Sequence, residues 1–376
     1  MECKYLDNVI AIQYQNFLKP CCAWKADEQW IKTHNLKTTD IVNWHHHEDL
    51  IRARTQLANN QWPTSCSECE NMERQGRKDS IRLGGNKSYK DFATDDLVLE
   101  IWPGSVCNFA CQTCSPLDSS RVIHFYRQAN IPHLSVELAK TDFSDFNFLS
   151  AIKQRLKKII ILGGEPFYDP KCLDFFQWCK NNTNAELTIF TNGSIIVPEF
   201  LNSFTKKNKL VFSLDATGKP AEYIRFGTIW NKVWENFNLA RNLANIEAQV
   251  NITTSVYNFY YFPDLIDMLI PNWPTMVSFG PAIEDMYSEQ VIPLHLRSMF
   301  IDRLNLSQIS LFKSNIEPDQ KSNAINAIKS IVNNLRTLPY NHTLHSQFKT
   351  HVAGMDRVKK IKLSDYCPEI SKILND

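Results

Sequence analysis

The sequence predicts an α/β fold in which parallel strands alternate with helices, and three observations carry that prediction. From Leu97 onward, six short β-type runs alternate with helical stretches. Several of those runs are near-continuously apolar, as strands covered on both faces are. The stretches between them are long enough for right-handed crossovers. A doubly wound open sheet and an incomplete β/α barrel both satisfy this pattern.

In chain order, strands are expected at Leu97–Trp102, Lys158–Leu162, Leu187–Thr191, Leu210–Asp215, Val250–Val256 and Met276–Gly280. Helical patterns lie near Pro116–Gln128, Phe146–Leu156, Pro170–Asn181, Pro198–Lys206, Asn231–Asn245 and Pro263–Leu269. The clearest start is Asp169-Pro170, an N-cap followed by proline at the first helical position. Cys172, Phe175, Phe176 and Cys179 then fall at i, i+3, i+4 and i+7, one apolar face, so both cysteines read as core residues. Residues 1–92 have another texture, with five cysteines, four of the nine tryptophans and one helix expected over Thr39–Asn59. A small domain held by metal fits that composition. Beyond residue 295 the pattern is mostly helical, above all Pro318–Leu335. The expected domains are therefore 1–92, 93–295 and 296–376.

Composition narrows the function class. The chain has 376 residues, 43% hydrophobic, with a formal net charge of +1. That apolar content excludes a disordered chain, and the near-neutral balance gives no support to nucleic-acid binding. The longest purely aliphatic stretch, Ile159–Leu162, falls far short of the roughly 20 residues that span a bilayer. Met1–Ile10 has neither a basic start nor an apolar core, so no signal peptide is read there. A cytoplasmic enzyme without a membrane partner is the expectation.

Eleven cysteines in such a chain point to metal or catalytic use more than to disulfides. Three of them, Cys107, Cys111 and Cys114, follow the first strand as C-x3-C-x2-C. This is one thiolate too few for a closed tetrahedral zinc site, but enough to hold an iron–sulfur cluster with one iron open. Gly163-Gly164-Glu165-Pro166 comes directly after the second strand; two glycines allow a tight turn, and a carboxylate follows that can accept from an ammonium group.

CNFACQTC followed by GGEP resembles the radical S-adenosylmethionine (SAM) superfamily. Thr191-Asn192-Gly193, Ser213-Leu214-Asp215 and Tyr223-Ile224-Arg225 extend the resemblance, which covers about residues 95–285. The run AEYIRFGTIWNKVWENF is similar to the SPASM/twitch subgroup, and PCCAW, WPTSCSECE and QGRKDSIR resemble its auxiliary-cluster pattern moved to the front of the chain. The resemblance implies a partial (β/α)6 barrel with a small N-terminal Cys-rich auxiliary-cluster domain. It implies a 4Fe–4S cluster on Cys107, Cys111 and Cys114 whose open iron takes SAM. The Gly163, Gly164, Glu165, Pro166 turn would bind the SAM ammonium. Arg225 would pair with the SAM carboxylate, and Ser213, with Asp215 two residues on, would sit near the ribose or carboxylate. Thr191 and Asn192 would line the same cleft. Thr113 stands where the family often has an aromatic residue. An auxiliary iron–sulfur cluster would use Cys3, Cys21, Cys66 and Cys69, with Cys22 as the substitute for Cys21; paired cysteines with C-x2-C suit zinc as well. The implied activity is reductive SAM cleavage to a 5′-deoxyadenosyl radical that abstracts hydrogen. A peptide or protein side chain is the implied substrate, with a sugar or nucleoside, or a non-catalytic scaffold, as alternatives. A flavodoxin- or ferredoxin-type reductant is implied as the partner.

Other signals read as ordinary surface. His45, His46 and His47 would point about 100° apart on a helix and cannot share one metal, so a solvated helix face is expected. Lys206, Lys207 and Lys209 read as a loop. Glu284, Asp285 and Asn258 are cleft candidates after the fifth and sixth strands, and Cys367 reads as inert.

Overall fold

A computed structural model describes residues 1–13, 16–74, 76, 80–132, 146–203 and 208–375. The chain forms two compact units, one from the described residues of 1–105 and 138–189, the other from those of 106–137 and 190–376. Eight strands are numbered in chain order: β1 (Val9–Ile12), β2 (Leu18–Lys19), β3 (Leu97–Ile101), β4 (Leu156–Ile161), β5 (Glu186–Thr191), β6 (Asn208–Ser213), β7 (Ile246–Thr254) and β8 (Val277–Pro281). The fold is α/β, and β3 to β8 lie within two residues of the six expected strands except at the start of β7, four residues early.

In the first unit, β3, β4 and β5 pair in parallel and in sequence order, with Leu99 opposite Ile159 and Ile159 opposite Leu187. Sequential neighbours without a reversal match the winding of a β/α barrel; a doubly wound sheet reverses its order part-way. The sequence did not single out β1. Its four residues, VIAI, are all buried and pair in parallel with β3, Val9 opposite Val98, while β2 pairs antiparallel on the other side. The front of the chain thus adds strands to the sheet as well as cysteines. Helix Pro170–Asn182 begins as read: the Asp169 carboxylate accepts from the Lys171 N–H at 3.0 Å, and Cys172, Phe175, Phe176 and Cys179 are buried.

Two expected helices depart most from the reading. Over Thr39–Asn59 there is a 3-10 turn at Trp44–His46 and an α-helix only at Glu48–Ala58, because His47 is the N-cap, with extended ψ of 136°. The histidines therefore do not share a solvated helix face. His45 is buried, with Nε2 3.2 Å from the Val9 carbonyl oxygen, and burial pulls its pKa down to about 4. Near Phe146–Leu156 only a 3-10 turn at Asn147–Leu149 forms before β4 begins.

In the second unit β6, β7 and β8 are again parallel and sequential, Phe212 opposite Val250 and Ile252 opposite Phe279. Helices Gly218–Ile224 and Trp230–Arg241 connect the first pair, and Phe262–Leu269 the second. Helix Pro198–Leu201 falls in the expected place; Lys206 and Lys207 lie outside the described residues. Beyond residue 295 the chain is helical as expected: Arg297–Lys313, Pro318–Thr337 and His342–Lys359 are the long helices. Met355 of the last packs with Val122 and Tyr126 of helix Ser120–Ala129 and with Ala110. Among the described residues no helix is long and apolar enough to cross a membrane.

Candidate active site

The loop Cys107–Cys114 lies in the second unit and is held rigidly, so its three sulfurs start from a defined geometry. The N–H of Ala110 donates to the Phe226 carbonyl at 2.8 Å, and that of Gln112 to Ile224 at 2.7 Å. Tyr287 donates its hydroxyl to the Gln112 carbonyl at 2.8 Å, and Ser119 donates to that of Phe109 at 3.2 Å. Arg121 bonds the Asn108 carbonyl. From the end of helix His342–Lys359, Lys359 donates to the Ala110 carbonyl at 2.8 Å and to Gln112 Oε1 at 3.1 Å, with Phe125 and Phe226 rings beside its ammonium. Six groups from across the unit thus fix eight residues that contain no regular secondary structure.

Two sulfurs receive side-chain donors. Asn192 Nδ2 lies 3.9 Å from Cys107 Sγ and 2.9 Å from Asn108 Oδ1. Asn108 in turn donates to Ser194 at 2.9 Å, and Ser194 donates to Asn192 Oδ1 at 2.6 Å. The turn that carries Asn192 is fixed by the Gly193 N–H, which donates to Thr191 Oγ1 at 3.0 Å. On the other side, Arg225 Nη1 lies 3.9 Å from Cys111 Sγ, while its Nε faces Asp215 Oδ2 at 2.8 Å. Burial works against the Arg225 charge, but Asp215 and Cys111 outweigh it and keep the guanidinium charged. Burial pushes the Cys114 thiol well above its ordinary range, and raises that of Cys111 against the pull of Arg225. Thiols so placed stay protonated alone and would release their protons to solvent when a metal cation bound the sulfurs.

Asp215 is itself fixed. Its Oδ1 accepts from the Thr253 N–H at 2.8 Å, and its carbonyl accepts from Asn258 at 3.0 Å. Asn258 also donates to Thr253 and accepts from Ser255, so this buried amide ties the ends of β6 and β7 together. Glu284 and Asp285 are exposed, and Ser213 is half-buried at the end of β6.

In the first unit, the turn after β4 has the geometry its glycines allow. Gly163 has φ +123°, and a Cβ there would sit 2.3 Å from the Gly104 carbonyl oxygen. The Gly164 N–H donates to that same oxygen at 3.3 Å. Glu165 is fully buried, with Oε1 accepting from the Phe167 N–H at 3.3 Å, and Pro166 is buried beside it.

The front cysteines also converge. Cys3, Cys21, Cys66 and Cys69 line one cavity in the first unit, together with Trp24, Trp62 and Arg82; Cys22 is exposed and does not line it. Burial raises the thiols of Cys3 to about 11 and Cys66 to about 12. Backbone N–H groups of Leu6 and Tyr5 are directed at Cys3, and those of Arg82 and Ile81 at Cys69, support of the kind that would orient sulfur ligands.

Lys359, Tyr287, Asn108 and Ser194 were not read from the sequence. Asn108 and Ser194 sit beside recognised motifs, whereas Lys359 lies 249 residues from the carbonyl it bonds, and no local pattern marks it.

No protein-family model and no curated protein matches the sequence. Solved structures with some similarity include native anSMEcpe with bound AdoMet (16% identity, 56% of this chain and 60% of that one, TM-score 0.41). Streptococcus suis SuiB bound to precursor peptide SuiA is another (16% identity, 67% and 60%, TM-score 0.38). A third is TYW1 with a lysine-pyruvate adduct bound (16% identity, 62% and 82%, TM-score 0.35). This chain spans about three fifths of the first two. The likeness is loose.

Proposed function

We propose that this chain is a radical SAM enzyme whose 4Fe–4S cluster is held by Cys107, Cys111 and Cys114. One observation carries the reading: a guanidinium only 14% exposed, that of Arg225, placed between a cluster-type thiol and the carboxylate that orients it. A metal site that only stabilises the fold has no use for such a cation; a site that takes a carboxylate ligand beside its metal does. The donor set also fits a cluster better than one ion. A 4Fe–4S cluster takes each thiolate on a different iron, and among the described residues the only three metal-binding side chains whose ligand atoms lie within 4.8 Å of one another are elsewhere.

When bound, the cluster supplies one electron, drawn from a flavodoxin- or ferredoxin-type reductant, that breaks a carbon–sulfur bond of SAM to give methionine and a 5′-deoxyadenosyl radical, which takes a hydrogen atom from substrate. The protein's part is orientation. Arg225 pairs with the SAM carboxylate and Asp215 holds Arg225; the GGEP turn with Glu165 is assigned to the ammonium from the family resemblance alone. Asn192 and Thr191 shape the cleft beside Cys107, with Ser213 near the ribose. We assign Cys3, Cys21, Cys66 and Cys69 to an auxiliary cluster, and a peptide or protein side chain to the substrate, following the subgroup resemblance.

The test is anaerobic reconstitution, with iron, sulfide and zinc counted per chain and 5′-deoxyadenosine measured after dithionite and SAM. About eight irons with nucleoside formation supports both clusters. About four irons and one zinc supports the enzyme and makes the front site structural. Zinc alone, with no SAM cleavage, overturns the proposal, as does retained cleavage in Cys111→Ala.

A further inference from the structure

We propose that His34, His47 and Asp49 form a binding site for a zinc-class divalent metal ion, separate from the cysteine sites. His34 Nε2, His47 Nδ1 and one Asp49 oxygen lie within 4.8 Å of one another in the first unit. Asp49 Oδ2 stands 3.0 Å from the first and 3.5 Å from the second. With metal–ligand bonds of about 2.0–2.1 Å, neighbouring donors of a tetrahedron are about 3.3 Å apart, so two of the three edges already have the required length. The third closes by rotation of the His47 side chain, which is 33% exposed and held by one long capping bond from the Asp49 N–H at 3.3 Å.

Hydrogen bonding explains why these atoms call for a cation. The Thr33 hydroxyl has its own acceptor, the Gln29 carbonyl, at 2.9 Å. His34 Nδ1 lies 2.8 Å from that hydroxyl oxygen and 3.2 Å from the Trp30 carbonyl oxygen, two acceptors for an Nδ1 proton. A neutral ring in that tautomer turns a lone pair from Nε2 toward the Asp49 carboxylate. His47 Nδ1 accepts from the Asp49 N–H at 3.3 Å and so is also unprotonated on this side. Three unprotonated acceptor atoms then converge, and a metal ion that displaced the long Asp49 N–H bond from His47 Nδ1 would relieve them. The other oxygen of Asp49 is occupied by Arg52, which leaves Oδ2 for the ion.

The surroundings suit a ligand that must not turn. His34 is stacked on Trp30 at 3.8 Å and 12°, with Trp44 edge-on at 5.9 Å, and its far nitrogen is anchored to backbone. That is the outer-layer support metal-binding histidines have. Two imidazoles and one carboxylate favour zinc or ferrous iron over calcium or magnesium, and leave a coordination position for water.

The experiment titrates Co2+ into the full chain with its cysteine sites already filled by anaerobic iron–sulfur reconstitution. We expect one further Co2+ per chain, with weak visible bands and no thiolate charge-transfer band. Asp49→Asn, which is isosteric, and His47→Ala, at a partly exposed position, should each weaken binding at least tenfold while leaving the iron content unchanged. No additional cobalt, cobalt with a thiolate band, or unchanged binding in both variants would overturn the proposal and leave His34–Asp49 as a plain hydrogen bond.

Discussion

Lys359 donates to the carbonyl oxygen of Ala110 at 2.8 Å, so the last long helix of the chain fixes the three-cysteine loop 249 residues earlier. The ammonium is buried, and burial pulls its pKa down to about 7. It is a positioning residue, one that also places positive charge close to Cys111 and Cys114. Lys359→Met keeps the stem and removes the charge. It leaves the Ala110 carbonyl and Gln112 Oε1 without this donor, which should destabilise the protein by about 1–3 kcal/mol. In reconstituted protein, the loss of a nearby cation should shift the cluster's midpoint potential downward, read by EPR-monitored redox titration. An unchanged potential with a lowered melting temperature would restrict Lys359 to a purely structural role.

Asp215 should matter through Arg225. Asp215→Asn keeps an acceptor for the Thr253 N–H but strands the Arg225 guanidinium in a buried site. Removing one partner of a buried pair costs about 3–5 kcal/mol. The expected result is a clear fall in melting temperature together with weakened SAM binding by calorimetry. Arg225→Lys should weaken SAM binding with a smaller stability loss, because the charge survives while the two-sided geometry does not.

The six strands from Leu97 onward were legible because they are short apolar runs between well-marked helix starts such as Asp169-Pro170. The two motifs were legible because their chemistry is local: three thiols within eight residues, and two glycines before a carboxylate. What was not legible depends on distance in sequence. VIAI is too short to show a period, and only its pairing with β3 makes it a strand. The helix over Thr39–Asn59 was overextended because its polar residues fit a helical pattern, whereas His47 caps the helix from outside. Lys359 looks like any basic residue in the last turn of a helix. Its ammonium is buried beside the Phe125 and Phe226 rings and the Ala110 carbonyl, contacts that no single segment encodes.

Cys21 and Cys22 are adjacent but not equivalent. Cys21 lines the cavity with Cys3, Cys66 and Cys69, and Cys22 is exposed. Cys21→Ser should therefore lower the front-site metal, with about four irons lost per chain if an iron–sulfur cluster sits there. Cys22→Ser should retain it. Iron and sulfide analysis after identical reconstitution distinguishes the two. The reverse result would mean that the neighbouring cysteine swings in as the ligand.

Glu100 should make the protein less stable as pH rises through neutrality. It is buried on β3, and burial raises its pKa to about 7 despite the attraction of Lys19 and Lys158. Between its ordinary value and about 7 the folded chain holds a proton that the unfolded chain has lost, so unfolding free energy falls as pH climbs across that window. The full effect of such a shift is about 3 kcal/mol. Glu100→Gln removes the titration while keeping the shape. The Lys19 ammonium keeps its bond to the Cys22 carbonyl at 2.9 Å, so the substitution does not leave that cation without a partner. Urea unfolding of both proteins at pH 5 and pH 8 should give nearly equal midpoints at the lower pH and a more stable variant at the higher. Parallel curves at both values would mean that Glu100 stays ionised in the folded protein, with the lysine attraction exceeding the cost of burial.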